Sequence, residues 1–318
     1  MQAPFKLLWL VMRFIGLFIL VFLLPYAAVV AYINWKALPF NQGNYYTAIA
    51  HKLHMMDTVP SPKIVCIGGS ASAFSVDAGQ LRDSTGFKVV NAGMSAGMGY
   101  RSILTLAADH LKPGDIAVFV LEHGFYFNRQ NQGNGDKTFY EFLATNPWYL
   151  KQVTLDQWIN MPAFVNEVTY ANYKRWKAGK VHGDKIYRSK DISNYGDMES
   201  HKGQKPTKVI PAVKRMKYRK PMSPVFEEYA NRIFDDLQKR GVKVFVAYPA
   251  ASATYAWKPT LDKTMSANLD AVKLGNPHEV IFDDTMFFDT DYHMRYEYRS
   301  SYNAILGHHL KNALNAKP

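Results

Sequence analysis

The sequence contains a single cysteine, Cys66, among its 318 residues. One cysteine excludes a disulfide framework within the chain and a cysteine-rich zinc site, although it does not exclude an oxidising compartment. The chain also lacks the Gly-x-y period of a fibrous protein, and its 14% aromatic and 48% hydrophobic residues are too many for a disordered one. The length therefore allows one large folded domain or two small ones.

Charge is absent from the twenty consecutive residues Phe14 to Ile33. A helix of that length crosses a hydrocarbon core of roughly 30 Å. Lys6 and Arg13 precede the run and Trp35 follows it, which predicts an uncleaved anchor within residues 1–35 and a cytoplasmic amino terminus. A cleaved signal peptide is the alternative, but its apolar segment is usually shorter and an Ala-x-Ala site would follow it. We expect a single-pass protein of the inner (cell) membrane, with the remaining chain periplasmic or extracellular.

Acidic residues are also few, because 26 Asp and Glu oppose 38 Lys and Arg and leave a formal net charge of +12. Residues 171–220 hold 15 basic and 4 acidic residues, interleaved with tyrosine and tryptophan. Such a composition suits a solvated surface, an anionic glycan, lipid headgroups or nucleic acid, and the expected external location disfavours nucleic acid. We interpret residues 124–222 as a basic, aromatic insertion into the folded domain.

After a connector at 36–62, short apolar runs alternate with amphipathic stretches. Strands are predicted at 63–67, 87–91, 115–121, 242–248 and 279–282. Helices are predicted around 76–82, 100–111, 223–237, 260–274 and 296–315. Continuous apolar strands separated by helices favour an α/β domain over 63–318, with a three-layer parallel sheet whose ligands bind at the carboxyl ends of the strands.

Polar residues follow these strands in three places. Gly68-Gly69-Ser70 comes after the first strand, where small residues allow a sharp bend that exposes a serine hydroxyl beside backbone N–H groups. It is neither the Gly-x-Ser-x-Gly elbow nor a phosphate-binding loop, and on its own it is also typical of an ordinary turn. Asn91-Ala92-Gly93 follows the second strand, where Gly93 is either a turn glycine or a donor to the same pocket.

The third place lies late in the chain, where His293 follows two carboxylates, Asp289 and Asp291. A nucleophilic serine needs a base, and the base needs a carboxylate that fixes its tautomer. A lone histidine more often has a structural role, but two neighbouring carboxylates at a predicted strand end favour chemistry. His51 and His54 lack a third ligand nearby in the sequence, so we predict neither a metal nor a cofactor.

Together the three clusters resemble the SGNH (GDSL-like) hydrolase superfamily. The membrane-anchored branch, which includes DltD and the alginate O-acetylation proteins AlgJ and AlgX, is the most similar. Its motifs resemble Gly68-Gly69-Ser70 followed by Phe74-Ser75-Val76-Asp77, and the segment from Asp289 to Arg299. The resemblance covers about 60–123 and 223–315, skips the insertion, and implies a flavodoxin-like sheet.

The resemblance implies a catalytic triad of Ser70, His293 and Asp289, with Asp291 in reserve for Asp289. The backbone N–H groups of Ser70 and Gly93 would hold the oxyanion. The family's third block usually supplies an Asn, whereas this chain has Glu122 and His123 there.

We expect Glu122 and His123 to contribute to substrate binding together with Arg295, which replaces the Asn that the family has after the histidine.

The predicted function is therefore a membrane-anchored, extracytoplasmic O-acyltransferase. It would transfer an acyl group, acetyl by analogy, to an exported polysaccharide or cell-wall polymer, in partnership with a multi-pass membrane-bound O-acyltransferase. A hydrolase using the same triad is a close variant. The alternative from another class is a catalytically inactive scaffold or glycan-binding subunit of an envelope assembly complex, which the missing Asn favours.

Overall fold

A parallel sheet of five strands forms the centre of the protein, as the continuous apolar runs predict. The structure, a computed structural model, describes residues 3–127, 133–181, 184–206, 222–253 and 268–316. The sheet strands are β1 Lys63–Gly68, β2 Lys88–Gly93, β3 Ile116–Val120, β4 Lys243–Ala247 and β6 Val272–Leu274, and a separate parallel pair joins β5 Ala251–Ser252 to β7 Ile281–Phe282. The sheet order β2-β1-β3-β4-β6 is a common doubly wound order, with its switch point at β1 and β3.

Helices cover both faces of this sheet and extend to the amino terminus. They are α1 Ala3–Phe18, α2 Leu24–Asn41, α3 Tyr45–Thr58, α4 Ser70–Ser75, α5 Ala78–Thr85, α6 Gly99–His110, α7 His123–Tyr126, α8 Lys137–Thr145, α9 Leu155–Asn160, α10 Pro162–Ala178, α11 Pro224–Lys239 and α12 Arg299–Asn315. A five-residue π-helix, Ile19–Leu23, joins α1 to α2. Short 3-10 turns occupy Ala96–Met98, Pro147–Gln152, Ser189–Asp191, Pro277–Val280, Asp284–Met286 and Tyr296–Tyr298.

The sequence predictions were wrong at one edge of the sheet. Val272–Leu274, expected to end a helix, is the edge strand β6 and pairs with β4. Residues 254–267, the larger part of that expected helix, lie outside the described residues. Ile281–Phe282, expected in the sheet, pairs with β5 instead. Strands of two or three residues are too short for an apolar period to distinguish them from helix or turn.

The predicted connector at 36–62 contributes to the core of the domain. Its helix α3 buries Tyr45, Ile49 and Leu53 in the same cluster as the central strands. Lys52 is also buried, and its Nζ donates to the Gly93 carbonyl oxygen at 2.7 Å. The segment is therefore a structural layer over β2 and not a spacer.

One helix in the described part of the chain, Phe5–Asn41, is long and apolar enough to cross a membrane, with a mean hydropathy of 2.7. Its side chains are exposed from Phe5 to Val29, whereas from Val30 onward one side of the helix is covered and residues such as Tyr32 and Trp35 stay exposed. The covering element is α10, from the predicted insertion: Tyr26 Oη donates to Asn166 Oδ1 at 2.7 Å. The insertion thus packs against the amino-terminal helix.

Gly93, at the end of β2, lies where no side chain fits. A Cβ at this position would lie 2.3 Å from the Ala73 backbone nitrogen of α4, which cannot move without moving the helix. Gly93→Ala should therefore destabilise the protein by about 2 kcal/mol or more, seen as a lower midpoint of thermal unfolding of the full chain in detergent micelles.

Gly124→Ala is the matched control, because a Cβ there would meet nothing within 4 Å. It should leave the midpoint close to that of the native chain. A Gly93→Ala variant that unfolds at the native temperature would mean that α4 and β2 do not pack as closely as described.

Candidate active site

Ser70 opens helix α4 directly after β1, so the chain turns sharply at the carboxyl edge of the sheet. The side chain of Ser70 is partly exposed, whereas the next five residues of α4 are buried. Ser70 and Phe74 are four residues apart and share one face of the helix. Phe74 therefore lies one turn along α4 on the same side of the helix as Ser70.

That face of α4 meets the loop that carries His293. The imidazole of His293 stacks on the Phe74 ring, with the centroids 4.1 Å apart and the planes 6° from parallel. Ser75 Oγ also donates to the Tyr292 carbonyl oxygen at 3.0 Å. Two segments distant in the sequence, the first strand end and the late loop, thus meet at one edge of the sheet.

Asp289 is the carboxylate that pairs with His293. Its Oδ1 lies 2.6 Å from His293 Nδ1. The loop fixes this pair because Thr290 Oγ1 accepts from the His293 backbone N–H and Phe288 N–H donates to the His293 carbonyl oxygen. Burial alone would raise the pKa of Asp289, but its hydrogen bond with His293, the His293 charge and the Tyr187 hydroxyl together hold that pKa below its ordinary value.

Asp291, the reserve candidate, points to a different part of the protein. Its Oδ1 accepts from Ser252 Oγ at 3.3 Å, and its carbonyl oxygen accepts from the Ser252 N–H. Arg295 likewise turns aside, because its guanidinium contacts Thr285 O and Glu297. In the described residues neither side chain makes a hydrogen bond or ion pair to Ser70 or His293.

Glu122 occupies the concave turn beneath Ser70. Its carboxylate accepts from the Ala71 N–H at 2.8 Å and from the Gly69 N–H at 3.2 Å. A Cβ on Gly69 would lie 2.4 Å from Glu122 Oε1, so glycine is needed there for this approach. Burial raises the pKa of Glu122, although these N–H groups and the charge of His293 oppose the shift.

The backbone of Gly93 is already engaged on both sides. Its N–H donates to Asn91 Oδ1 at 3.0 Å, and its carbonyl oxygen accepts from Lys52. In this arrangement Asn91 holds the donor that the sequence assigned to the oxyanion. The two backbone N–H groups that converge on one side-chain carboxyl are those of Gly69 and Ala71, which both donate to Glu122.

His123 lies behind the loop of the predicted base. Its Nδ1 is 3.0 Å from the Tyr292 hydroxyl, and the side chain is buried. Burial lowers the pKa of His123 well below its ordinary value, so the ring is neutral at pH 7. His123 thus supports the loop from inside the protein through Tyr292.

The insertion supplies residues that the sequence reading missed. Tyr187 donates to Asp289 Oδ2 at 2.9 Å and lies 3.3 Å from His293 Nδ1. His201 packs its ring on Phe74, and burial lowers its pKa to about 4. Asp197, also buried, accepts from the Ala78 N–H and from Asn91 Nδ2. The only sequence signal for these residues was a basic, aromatic composition, which does not indicate that they fold onto the site.

Ser70, His293 and Asp289 lie close to one another, but one hydrogen bond of a catalytic triad is missing among the described residues. Asp289 orients His293 through Nδ1, which leaves Nε2 as the nitrogen that exchanges a proton. Among the described residues no hydrogen bond joins Ser70 Oγ to His293 Nε2. Ser70, His293 and Asp289 nevertheless lie on elements that contact one another directly.

The described residues contain no group of three or more His, Cys, Asp or Glu side chains placed to hold a metal ion. Cys66 lies buried within β1, as expected of a core residue. Comparison with protein-family models gives no match for this chain, and comparison with curated proteins gives none either. The interpretation of the site therefore depends on its geometry.

The buried carboxyl of Glu122 predicts a pH dependence of stability. Burial raises the pKa of Glu122 in the folded protein, so its carboxyl group stays protonated to a higher pH than in the unfolded chain, where a glutamate has a pKa of about 4.3. The contribution of Glu122 to the free energy of unfolding is therefore largest below that pKa and falls as the pH rises toward the folded pKa. Glu122→Gln cannot ionise, so its melting temperature minus that of the native chain should become more positive between about pH 4 and pH 8.

Each kcal/mol by which ionisation of Glu122 destabilises the native chain should change the difference between the two melting temperatures by about 2–4 °C. Glu228→Gln, at an exposed position of α11, is the control and should give a difference that is constant with pH. A Glu122→Gln difference that stays flat or becomes more negative would contradict the raised pKa.

Proposed function

We propose that this protein is a membrane-anchored serine acyltransferase, acting outside the cytoplasm on an exported polysaccharide or cell-wall polymer. The observation that carries the proposal is the His293–Asp289 pair at 2.6 Å, stacked on the helix that begins with Ser70. The order of these motifs along the chain, which resembles the anchored branch of the SGNH superfamily, supports the same assignment.

In the proposed reaction Ser70 Oγ attacks the carbonyl carbon of an acyl donor while His293 Nε2 takes its proton. The tetrahedral intermediate collapses, the leaving group receives that proton, and an acyl ester remains on Ser70. A polymer hydroxyl then attacks this ester with His293 again as base, which restores the free serine. With water in place of the polymer hydroxyl, the same cycle would be hydrolysis.

The developing oxyanion would lie beside the carboxyl group of Glu122, which already accepts from the Gly69 and Ala71 N–H groups. Burial favours the protonated form of Glu122, and a neutral carboxyl can donate a hydrogen bond to an oxyanion. Glu122 would thus replace the Asn of the family's third block. Tyr187 and Asp289 would stabilise His293 when it carries the proton.

The helix Phe5–Asn41 supports the membrane placement. With Lys6 and Arg13 at its amino-terminal side, the amino terminus would lie in the cytoplasm and the α/β domain in the periplasm or outside the cell. A multi-pass membrane-bound O-acyltransferase would then deliver the acyl group across the bilayer to Ser70.

Ser70→Ala should abolish covalent labelling of the full chain by a fluorophosphonate probe, because such probes react with an activated serine oxygen. Ser72→Ala is the matched control: Ser72 lies in the same helix but is fully buried, so its loss should leave labelling unchanged. Thermal unfolding of both variants checks that each is folded. Undiminished labelling of Ser70→Ala would remove Ser70 as the nucleophile.

The two aspartates of the loop give a second test. Asp289→Asn should slow acylation of Ser70 by a factor of about 10²–10⁴, because the wrong tautomer of His293 is then favoured. Asp291→Asn, which changes a carboxylate hydrogen-bonded to Ser252, should stay within about threefold of the native rate. The measurement is the rate of fluorophosphonate labelling, and equal losses in the two variants would contradict the assignment of Asp289.

The second candidate function is a scaffold that binds a glycan without chemistry. The specific observation in its favour is that Glu122 already fills the turn where an oxyanion would lie. Absence of labelling in the native chain, together with retention of the chain on an immobilised envelope polysaccharide, would favour the scaffold over the enzyme.

A further inference from the structure

A patch of apolar side chains lies beside the amino-terminal helix and is separate from the candidate active site. We define the lipid face as the exposed residues Trp148, Leu150, Leu155, Trp158 and Ile159. They belong to the 3-10 turn Pro147–Gln152 and to α9, and the fractional exposures of Leu155 and Ile159 are 74% and 68%. Soluble domains rarely expose such a cluster without a partner.

The lipid face continues into a groove that borders the long helix. This groove has a volume of about 490 Å³. Val30 and Leu38 line it from the amino-terminal helix, and Leu150, Trp158 and Val165 line it from the insertion. The apolar surface therefore runs without a break from the lipid face to the helix that is proposed to span the bilayer.

The position of the contact along that helix indicates the depth of the lipid face. Asn166, near the start of α10, accepts a hydrogen bond from Tyr26 at 2.7 Å. If the hydrocarbon core spans residues 14–33, Tyr26 lies about 10 Å inside its outer end at about 1.5 Å per residue. The segment that packs beside Tyr26 then lies within the outer layer of the core, and its apolar side chains face acyl chains.

The polar groups between the two helices satisfy each other, as burial in a membrane requires. Asn34 Nδ2 donates to Thr169 Oγ1 at 3.1 Å, and Asn172 Nδ2 donates to Asn34 Oδ1 at 2.6 Å. Acidic residues of α9 and α10 are also paired: Asp156 with Arg101, and Glu167 with Lys137.

Toward the carboxyl ends of the same two helices, the side chains are aromatic and basic, as is typical of residues that contact lipid headgroups. Tyr32 packs edge-on against Trp176, and Lys36 lies over the Tyr32 and Trp35 rings. Lys174 lies over the Tyr170 ring in α10. An apolar patch bordered on one side by cations and aromatic rings is typical of a protein surface that enters one leaflet of a bilayer.

From this geometry we propose that the lipid face inserts into the outer leaflet and that phospholipid acyl chains occupy the groove. The protein would then hold the bilayer at two places, the spanning helix and a monotopic surface of the insertion. The inference rests on the membrane anchoring in the proposed function and is independent of the chemistry at Ser70.

Spin labels on the full chain test the proposal in vesicles of phosphatidylcholine and phosphatidylglycerol. Native Cys66 is fully buried, so cysteines introduced by Leu155→Cys or Ile159→Cys can be labelled one at a time. Leu20→Cys reports on the spanning helix, and Lys311→Cys, an exposed position on α12, reports on water. The measurement is the collision rate of each label with oxygen, which enters the bilayer, relative to a nickel chelate, which stays in water.

We expect the oxygen-to-nickel ratio at positions 155 and 159 to exceed that at 311 by about fivefold or more, and to approach that at position 20. Ratios equal to that at 311, with position 20 still in lipid, would overturn the lipid face and leave the anchor intact. An aqueous ratio at position 20 would overturn the anchor itself. Low collision rates with both reagents at 155 and 159 would show a protein partner or a second copy there and would overturn the lipid assignment.

Discussion

The stacking of Phe74 on His293 is the contact on which the rest of the site depends. It joins a helix fixed to the first strand of the sheet with a loop near the end of the chain. The loop is held by its own hydrogen bonds at Thr290 and Phe288, so the ring of His293 arrives with its orientation already set. Without this packing, Asp289 and His293 would still pair, but only the hydrogen bond from Ser75 to the Tyr292 carbonyl oxygen would then join their loop to α4.

Residues of the insertion contribute to the structure of the site, which the basic, aromatic composition of the insertion does not indicate. Tyr187 reaches Asp289, and Asp197 ties α5 to the end of β2 through Ala78 and Asn91. Its helix α10 meanwhile packs along the amino-terminal helix. A segment that interrupts the β/α rhythm thus links the carboxyl edge of the sheet to the apolar amino-terminal helix.

The sequence predicts best those parts in which a local pattern has one physical meaning. The apolar runs of β1 to β4 are found as strands, and Pro224 begins α11 directly after Ser223 as its sequence indicates. That His293 pairs with an aspartate of its own loop also follows from spacing, since a short loop can bring such near neighbours into contact. These features depend on near neighbours in the chain.

The features that the sequence does not predict depend on contacts between distant residues. Nothing near Tyr187 indicates that it meets Asp289, and the role of Glu122 depends on β1 lying next to β3. Likewise β6 has only three residues, so its place at the sheet edge is decided by β4 and not by its own pattern. A choice between Asp289 and Asp291 needed the position of Ser252.

The pairing of Asn34 with Thr169 and Asn172 has a consequence for how far the protein can reach. A flexible tether would let a domain sample a wide volume above the membrane, and its effective concentration for a surface-bound partner would be diluted accordingly. Here side-chain hydrogen bonds join the apolar amino-terminal helix to the folded part, and only a short turn separates Asn41 from the start of α3 at Tyr45. If this helix enters a bilayer as proposed, Ser70 would be held at one height above the membrane, and a polymer or a donor would have to reach it at that height.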